Sequence, residues 1–373
     1  MTQSSGAQIL IKELERLGVT HIFGYPGGAA INIFDALYSS SIELVLTRHE
    51  QGATHMADGY ARATGRLGVV LVTSGPGALN SVSGLLTAKM DSVPILVISG
   101  QTNSVNLGKD AFQEADVFGV TLSLVKHNRL ILDVDDIAPA VRQAAALACE
   151  GRPGPVLLDL PKDISAAMTF YDPQEVESWV VKTEPKELRP AQRSACQRMA
   201  ALLMESKRPL LLVGHGAVIA GAAAQVIKLA ETLRSPVTNT LLGKGAFPEH
   251  HPWSLGMLGM HGTAYANYAT TRCDLILSIG SRVDDRINGG VGKRWRLASP
   301  ARGILPIADG APDPRHRVRR IDIGIKRAQL GGDDSVAAGV ENLAALHPDP
   351  IGTVVGPVPG AARRIHAVDC RAR

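Results

Sequence analysis

The chain has 373 residues, enough for two α/β domains, and 45% of them are hydrophobic. No run of eighteen apolar residues predicts a membrane span, and no signal-peptide pattern precedes the first helix, so the expected location is the cytoplasm. The net charge of +4 is unevenly distributed, because residues 287–373 carry 14 Lys and Arg against 8 Asp and Glu. The four cysteines are far apart and lack the paired spacing of zinc sites and disulfide frameworks, which favours buried thiols.

The first predicted elements are an amphipathic helix over residues 5–17 and a short strand over 21–24. The strand leads into the turn Pro26-Gly27-Gly28. Such a turn can be no more than a change of direction. Because it lies between a strand and a helix, its backbone amides could also face a ligand.

Residues 47–101 predict a strand–helix–strand unit of a parallel sheet. Small and apolar residues recur at helical spacing from Ala53 to Ala61, and a short apolar strand follows at 69–72. A tight turn then enters a second helix, predicted to extend to Met90, before a buried strand over 93–99. Glu50 begins the first helix, where the simplest explanation is an acid favoured by the helix dipole.

The second half of the chain repeats the α/β pattern after a polar segment at 165–190. A helix is predicted over 191–205, followed by an apolar strand that enters Gly214-His215-Gly216. This Gly-x-Gly is an incomplete version of a nucleotide-binding pattern. His215 by itself is expected only to occupy the turn.

Several blocks in chain order resemble one family, the thiamine-diphosphate-dependent acetolactate (acetohydroxyacid) synthase large subunits. The first three resemble the pyrimidine-binding domain of thiamine-diphosphate enzymes, and the later ones resemble acetolactate synthases in particular. The blocks are RHEQGATHMADGYARATG, TSGPGALN, DSVPILVISGQ, GKDAFQEADVFG, GKGAFPEHHPWSLGMLGMHGTAYANYA and GSRVDDR.

The resemblance covers residues 5 to about 287 and implies two parallel-sheet, three-layer α/β domains. It predicts a thiamine-diphosphate pyrimidine-binding domain at 1–165, a linker at 166–190, and a Rossmann-like central FAD-type domain, incomplete, at 191–325. Residues 326–373 are predicted to be an atypical tail rich in Arg and Pro.

The family decarboxylates pyruvate and joins the remaining two-carbon unit to a second 2-oxo acid, in branched-chain amino-acid biosynthesis. The resemblance implies that Glu50 holds N1′ of the thiamine aminopyrimidine, so that the cofactor's own amino group takes up a proton. An apolar site would favour the protonated carboxyl, which can donate that hydrogen bond. It implies that Gly28, Phe112 and Gln113 also lie at the reacting centre.

The resemblance also implies residues that bind cofactors and substrates. Lys162 and Arg286 would contact the 2-oxo acid, since a guanidinium suits a carboxylate. The implied cofactor-binding residues, for thiamine diphosphate and FAD together, are Glu50, Pro26, Gly27, Gln101, Arg152, Gly214, Gly216, Leu258, Met260, His261, Gly280 and Arg282.

The family's third domain carries a Gly-Asp-Gly followed by an Asn, which bind Mg²⁺ and the diphosphate. This sequence has no such pair, so no metal ligand is predicted and only half of the thiamine diphosphate site is expected. Beyond residue 287, Ile321-Asp322-Ile323 is a faint echo of the strand expected next. The sequence therefore resembles a large subunit truncated before its diphosphate domain.

The expected partners are pyruvate and 2-oxobutyrate-type substrates, further copies of the chain, and a small regulatory subunit. No nucleic-acid motif and no membrane segment are predicted. Two alternatives stay open at this point. One is a catalytically inactive truncated protein that at most binds flavin or a full-length subunit, and the other is a related carboligase or decarboxylase with a different substrate.

Overall fold

The computed structural model describes residues 2–173, 190–282, 287, 296–297 and 319–323. These residues form two six-stranded parallel sheets and one small antiparallel pair of strands. The prediction of two parallel α/β domains is therefore confirmed. None of the described helices has the length and apolar character needed to cross a bilayer.

The first sheet has the strand order β3-β2-β4-β5-β7-β6, and every pairing in it is parallel. Its strands are β2 (His21–Gly24), β3 (Glu43–Leu46), β4 (Gly68–Val72), β5 (Ile95–Gln101), β6 (His127–Leu130) and β7 (Val156–Pro161). Its helices are α1 (Gly6–Arg16), α2 (Ile31–Tyr38), α3 (Glu50–Thr64), α4 (Pro76–Asn80), α5 (Val82–Asp91), α6 (Val117–Thr121), α7 (Ile137–Cys149) and α8 (Lys162–Ala166).

Helices cover both faces of this sheet, which gives three layers. Val69 and Leu71 of β4 pack into a core with α1, α2 and α7, whereas Val70 and Val72 pack into a second core with α3 and α5. The alternation follows from the two-residue period of a strand. It explains why β4 is apolar throughout, because both of its faces are buried.

The second sheet has the order β11-β10-β9-β12-β14-β13 and is also parallel throughout. Its strands are β9 (Pro209–Val213), β10 (Val237–Asn239), β11 (Ser254–Met257), β12 (Leu275–Ile279), β13 (Arg296–Leu297) and β14 (Arg319–Ile323). Its helices are α9 (Pro190–Glu205), α10 (His215–Ile219), α11 (Ala223–Leu233) and α12 (Ala264–Arg272).

The strand expected beyond residue 287 is present in this sheet. The backbone of β14 pairs in parallel with β12, with Leu277 opposite Ile321. The faint sequence echo at 321–323 thus belongs to a sheet strand, although no recognisable motif surrounds it.

A small antiparallel sheet joins the two ends of the first domain. It pairs β1 (Thr2–Ser5) with β8 (Met168–Tyr171), which lies within the segment predicted as a linker. The Tyr171 hydroxyl donates a hydrogen bond to Glu13 of α1, and Glu13 also accepts one from Arg16 at 3.2 Å. Burial, followed by the contact with Glu13, raises the pKa of Tyr171 to about 12.

Three cysteines lie within the described residues, and all three are buried, as expected from their spacing. Burial raises the pKa of the Cys273 thiol to about 12. A thiol with so high a pKa is a poor nucleophile at neutral pH. Cys370 lies outside the described residues.

Candidate functional site

Glu50 is the first residue of α3, and its side chain is only 7% exposed. The preceding residue, His49, caps the helix by accepting a hydrogen bond from Gln51 N at 3.1 Å. The Thr54 hydroxyl donates to the Glu50 carbonyl at 2.9 Å. On the carboxyl itself, Oε2 accepts a hydrogen bond from Nδ2 of Asn80 at 3.0 Å. Glu50 therefore has a defined orientation at the start of a well-packed helix.

Gly77 borders the other oxygen of the carboxyl, and both Gly77 and Gly27 pack closely against Thr73. A Cβ on Gly77 would lie 2.6 Å from Thr73 Cγ2 and 3.0 Å from Glu50 Oε1. A Cβ on Gly27 would lie 2.5 Å from Thr73 Cβ, whereas one on Gly28 would meet nothing within 4 Å. The Thr73 hydroxyl is buried and has no hydrogen-bond partner among the described residues. Because buried hydroxyls are normally satisfied, this orphan indicates a missing ligand or water.

The loop that carries Phe112 and Gln113 is shaped by one carboxylate. Glu114 accepts hydrogen bonds from the backbone N–H groups of Gly108 and Ala111. The bond from Ala111, followed by that from Gly108, lowers the pKa of Glu114. This anchoring holds a loop in which Gly108, Asp110 and Gln113 all have φ between 53° and 75°. Positive φ at two non-glycine residues indicates local strain, which is typical of functional loops.

This loop packs against the turn that precedes α4. Gly75 has φ of 54° and ψ of −119°, and a Cβ on it would overlap the backbone carbonyl of Gln113. Phe112 is 87% exposed beside it. The structure thus brings Gln113 to the same turn as Gly77, which borders Glu50. Residues 27, 50 and 113 of the predicted site are neighbours through residues 73–77.

Beneath this loop lies a buried network that contains one predicted cofactor-binding residue, Gln101, together with residues that the sequence prediction did not include. Gln101 is 2% exposed, and its Nε2 donates to Asp159 Oδ2 at 2.9 Å and to the Ala115 carbonyl at 3.1 Å. Asp159 Oδ1 accepts from the Ser99 hydroxyl at 2.7 Å. The Gln101 amide therefore links the end of β5 to the loop, through Ala115.

Burial raises the pKa of Asp159 to about 6, although the hydrogen bonds from Ser99 and Gln101 oppose this shift. An unfolded aspartate ionises near its ordinary pKa of 3.8. Between these two pH values the folded protein binds more protons than the unfolded chain. The contribution of Asp159 to stability is therefore complete below about pH 3.8 and is lost as the pH rises through about 6.

We expect Asp159→Asn to remove this pH dependence. The free energy of unfolding of wild type relative to the variant should fall by about 2 kcal/mol between pH 4 and pH 7, as measured by urea unfolding. Asp163→Asn is the matched control. Burial tends to raise the pKa of Asp163, but hydrogen bonds from the Ser104 hydroxyl and N–H lower it overall. For this control, the free energy of unfolding of wild type relative to the variant should rise with pH instead of falling. The same change with pH for both variants would contradict the assignment of the raised pKa to Asp159.

The central domain has a glycine-lined edge where strands β9 and β12 end. A Cβ on Gly214 would lie 2.5 Å from Ser281 Cα, and one on Gly216 would lie 2.8 Å from Gly280 Cα. Gly280 itself has φ of 67°. Ligands of parallel sheets bind beyond the carboxyl ends of the strands, where such glycines allow close backbone approach.

Asn239 ends the neighbouring strand β10 and is 1% exposed. Neither its amide nitrogen nor its amide oxygen has a hydrogen-bond partner among the described residues. Leaving both groups of a buried amide unpaired is costly, which indicates that a ligand or water completes this site. The following segment brings the Leu258 N–H to the Asn239 carbonyl at 3.1 Å. Leu258 is buried, whereas Met260 and His261 are exposed.

Contacts between the two domains centre on the end of α5. His215 Nδ1 of the central domain lies 2.9 Å from the Asp91 carbonyl, and next to this contact, within the first domain, Arg152 donates to the Ser92 hydroxyl at 2.7 Å. His215 thus makes a cross-domain contact that the sequence did not predict. Burial lowers the pKa of Arg152, and the nearby positive charge of Arg282 lowers it further. Two arginines from different domains therefore face the same region, where an anion would be favoured.

For two residues predicted to contact the substrate, the structure describes no contact with Glu50, with the turn at 73–77 or with Gln113. Lys162 is the first residue of α8 and is exposed, and its carbonyl accepts a hydrogen bond from Asn32. Arg286 lies outside the described residues. In the part of the chain that the structure covers, no group of three His, Cys, Asp or Glu side chains is arranged to hold a metal ion.

Two family models match the chain. Residues 4–120 match the N-terminal TPP binding domain of thiamine pyrophosphate enzymes, and residues 196–333 match the central domain of the same enzymes. The chain belongs to the thiamine pyrophosphate enzymes.

Several relatives in this family are named as acetolactate synthases. The acetolactate synthase of Arthrospira platensis is 50% identical over 295 residues, which are 76% of this chain and 50% of the relative. The large subunit of Parasynechococcus marenigrum is 50% identical over 334 residues, or 87% of this chain and 54% of the relative. The probable large subunit of Methanocaldococcus jannaschii is 46% identical over 302 residues, which are 81% of this chain and 50% of the relative. The chain thus spans about half the length of these relatives.

Within this thiamine pyrophosphate enzyme, sequence reasoning missed Thr73, Asn80, Asp159 and Asn239. Asp159 had a usable signal, because it is an acid inside the buried strand Val156–Pro161. A buried acid in an apolar strand requires partners. Thr73 and Asn80 lie in the block TSGPGALN, which carries part of the family resemblance, but neither that block nor the single amide of Asn239 indicates what these side chains contact.

Proposed function

We propose that the chain acts as an acetolactate synthase large subunit, which decarboxylates pyruvate and joins the two-carbon remainder to a second 2-oxo acid. The observation that carries this proposal is the packing of the Gln113 loop on Gly75, in the turn that also borders Glu50. The proposed catalytic carboxyl and the loop whose sequence resembles acetolactate synthases thus border the same turn. The names of the relatives support the same reaction.

Thiamine diphosphate fits the surroundings of Glu50. The orphan Thr73 hydroxyl and the Glu50 oxygen that accepts no hydrogen bond among the described residues are features that a bound aminopyrimidine would use. When bound, this cofactor supplies the carbon nucleophile that attacks a 2-oxo acid. The role of Glu50 is to hold a proton at Oε1 and exchange it with the pyrimidine ring. The loop and sheet edge proposed to surround the cofactor also include Gly28, Pro26 and Gln101.

FAD is the second proposed cofactor, bound at the central domain. The glycines at 214, 216 and 280 pack backbone against backbone where β9 and β12 end, and the unpaired Asn239 amide could hydrogen-bond a ligand at this edge. Arg152 and Arg282 offer two positive charges that a diphosphate would neutralise. Leu258, Met260 and His261 follow β11 and would contact the same ligand.

Substrate contacts are assigned to Phe112 and Gln113, on the loop that packs against Gly75, and to Lys162 and Arg286. Phe112 would cover the 2-oxo acid, and Gln113 would hydrogen-bond it. Lys162 and Arg286 would attract its carboxylate. Mg²⁺ belongs to the proposed holoenzyme, but the described residues offer no fitting set of ligands for it, and no step is assigned to it.

The remaining assignments concern organisation. We propose a pyrimidine-binding domain at 1–165, a linker at 166–190, a central domain at 191–325 and a separate tail at 326–373. The proposed assembly is a homo-oligomer with a small regulatory subunit, and the proposed compartment is the cytoplasm.

Acetolactate formation from pyruvate tests the proposal. The purified chain is supplied with thiamine diphosphate, Mg²⁺ and FAD, and acetolactate is measured after conversion to acetoin. The expected result is acetolactate from pyruvate alone and a mixed product when 2-oxobutyrate is added. If pyruvate is not consumed above the background of a heat-denatured sample, the proposed reaction is wrong for this chain.

A further inference from the structure

The two oxygens of the Glu50 carboxyl have different surroundings. Oε2 accepts the hydrogen bond from Asn80 Nδ2 at 3.0 Å. Oε1 lies beside Gly77, where even a methyl group would approach it to 3.0 Å. Among the described residues, Asn80 is the sole side chain that donates a hydrogen bond to this carboxyl. The carboxyl is therefore held by a hydrogen bond at Oε2, while Oε1 accepts none among the described residues.

We propose that Asn80 is a positioning residue that determines which oxygen of Glu50 carries the catalytic proton. This inference rests on the proposed function, in which Glu50 exchanges a proton with an aminopyrimidine ring. The role of Asn80 is to keep Oε2 engaged as an acceptor. The proton is then held at Oε1, on the side of Gly77 and Thr73.

The chemistry of the amide supports this assignment. An amide NH₂ group donates hydrogen bonds and cannot accept them. A proton on Oε2 that pointed toward Asn80 would face another donor, so when the carboxyl carries a proton this hydrogen bond favours that proton on Oε1. A carboxyl without this contact could rotate and present either oxygen.

The local fold fixes the geometry of the pair. Glu50 begins α3, and Asn80 ends α4, which starts at Pro76 directly after the turn at Gly75. Proline at the first helical position fixes the entry into a helix. Asn80 itself is exposed, so its amide lies at the rim of the site and reaches inward to a buried carboxyl.

The test uses the aminopyrimidine alone, as 4-amino-5-hydroxymethyl-2-methylpyrimidine labelled with ¹⁵N at ring N1. Binding to the full chain is followed by calorimetry, and the ¹⁵N resonance of N1 reports the hydrogen bond from Glu50. Asn80→Ala should weaken binding by about threefold to tenfold, the range for one lost hydrogen bond. It should also move the bound N1 resonance toward that of the free ring.

Asn80→Asp has the same shape but presents an acceptor where the amide donated. It favours the proton on Oε2, so the N1 resonance should move further toward the free position than in Asn80→Ala. This variant decides the question if Asn80→Ala fails to fold. Gln8→Ala is the matched control, because it removes one exposed amide hydrogen bond, to Ser5 N, in the same domain. It should leave both measurements unchanged.

The outcomes separate the two proposals. Wild-type affinity and an unchanged N1 resonance in both Asn80 variants would overturn the role of Asn80 and leave the proposed function intact. A wild-type chain that does not bind the pyrimidine would overturn the proposed function, and this inference with it.

Discussion

Glu50→Gln is expected to lower the rate of acetolactate formation by about 100-fold or more. Glutamine has the same shape and can still accept the hydrogen bond from Asn80 Nδ2, so the site should keep its structure. It cannot take up and release a proton at Oε1. The loss should appear in kcat, while KM for pyruvate changes little, because the group acts in the chemical step rather than in substrate binding.

Glu13→Gln provides a control for the general effect of altering a buried carboxylate in this domain. Glu13 is 1% exposed and contacts Arg16 and Tyr171. Its replacement should lower the midpoint of thermal unfolding without a comparable change in kcat at a temperature where the protein is folded. A Glu50→Gln variant that retains more than about half of the wild-type kcat would contradict the assigned role, since a proton-transferring group accounts for far more.

Gly75→Ala is expected to have the second largest effect. Its backbone, with φ of 54° and ψ of −119°, is one that residues with a Cβ rarely adopt, and the added methyl would overlap the Gln113 carbonyl. The strain should lower the free energy of unfolding by about 2–3 kcal/mol. Displacement of the Gln113 loop by even about 1 Å should reduce the acetolactate rate by roughly 100-fold.

Gly65→Ala is the control that measures the energetic cost of a positive φ alone, without an overlap such as that between a methyl group at Gly75 and the Gln113 carbonyl. Gly65 caps α3 with φ of 69°, and a Cβ on it would meet nothing within 4 Å. We expect a loss of about 1 kcal/mol and normal activity for this variant, measured by urea unfolding and the acetoin assay. If Gly75→Ala behaved like Gly65→Ala in both assays, the packing of the loop on the turn would have no functional importance.

The regular elements around Glu50 could be predicted closely from the sequence. The spacing of Ala53, Ala57 and Ala61 corresponds to the buried face of α3, and the apolar run at 69–72 corresponds to β4. The prediction of one continuous helix ending at Met90 was wrong, because this segment forms two helices, α4 and α5, that meet at Ser81. Residues 76–91 are mostly small, and such a segment has no strong periodicity that would reveal a break.

The contacts that join these elements could not be predicted. Asn80 and Glu50 are thirty residues apart, and only the packing of α3 against α4 brings them together. The same holds for His215, which appeared to occupy a turn but contacts Asp91 in the other domain. Local sequence determines helices and strands through periodicity, whereas contacts between side chains depend on how those elements pack.

The strand at 319–323 shows a further reason why part of the fold could not be predicted from the sequence. It lies in a segment rich in Arg and Pro, where composition obscures the pattern of a strand. Its position is defined by parallel pairing of its backbone with β12, and backbone hydrogen bonds are available to any sequence without proline. The sequence alone therefore provided only a weak indication of this strand.

Binding of thiamine diphosphate to the purified chain tests the central claim most directly. Calorimetric titration in the presence of Mg²⁺ compares the wild type with Glu50→Ala, which removes the carboxyl from a site bordered by Gly77 and Thr73. We predict saturable binding to the wild type and affinity at least about tenfold weaker for the variant, because a hydrogen bond to an ionisable group is lost. Equal affinity in both proteins, or no binding by the wild type, would contradict the account of Glu50 as the residue that recognises the cofactor.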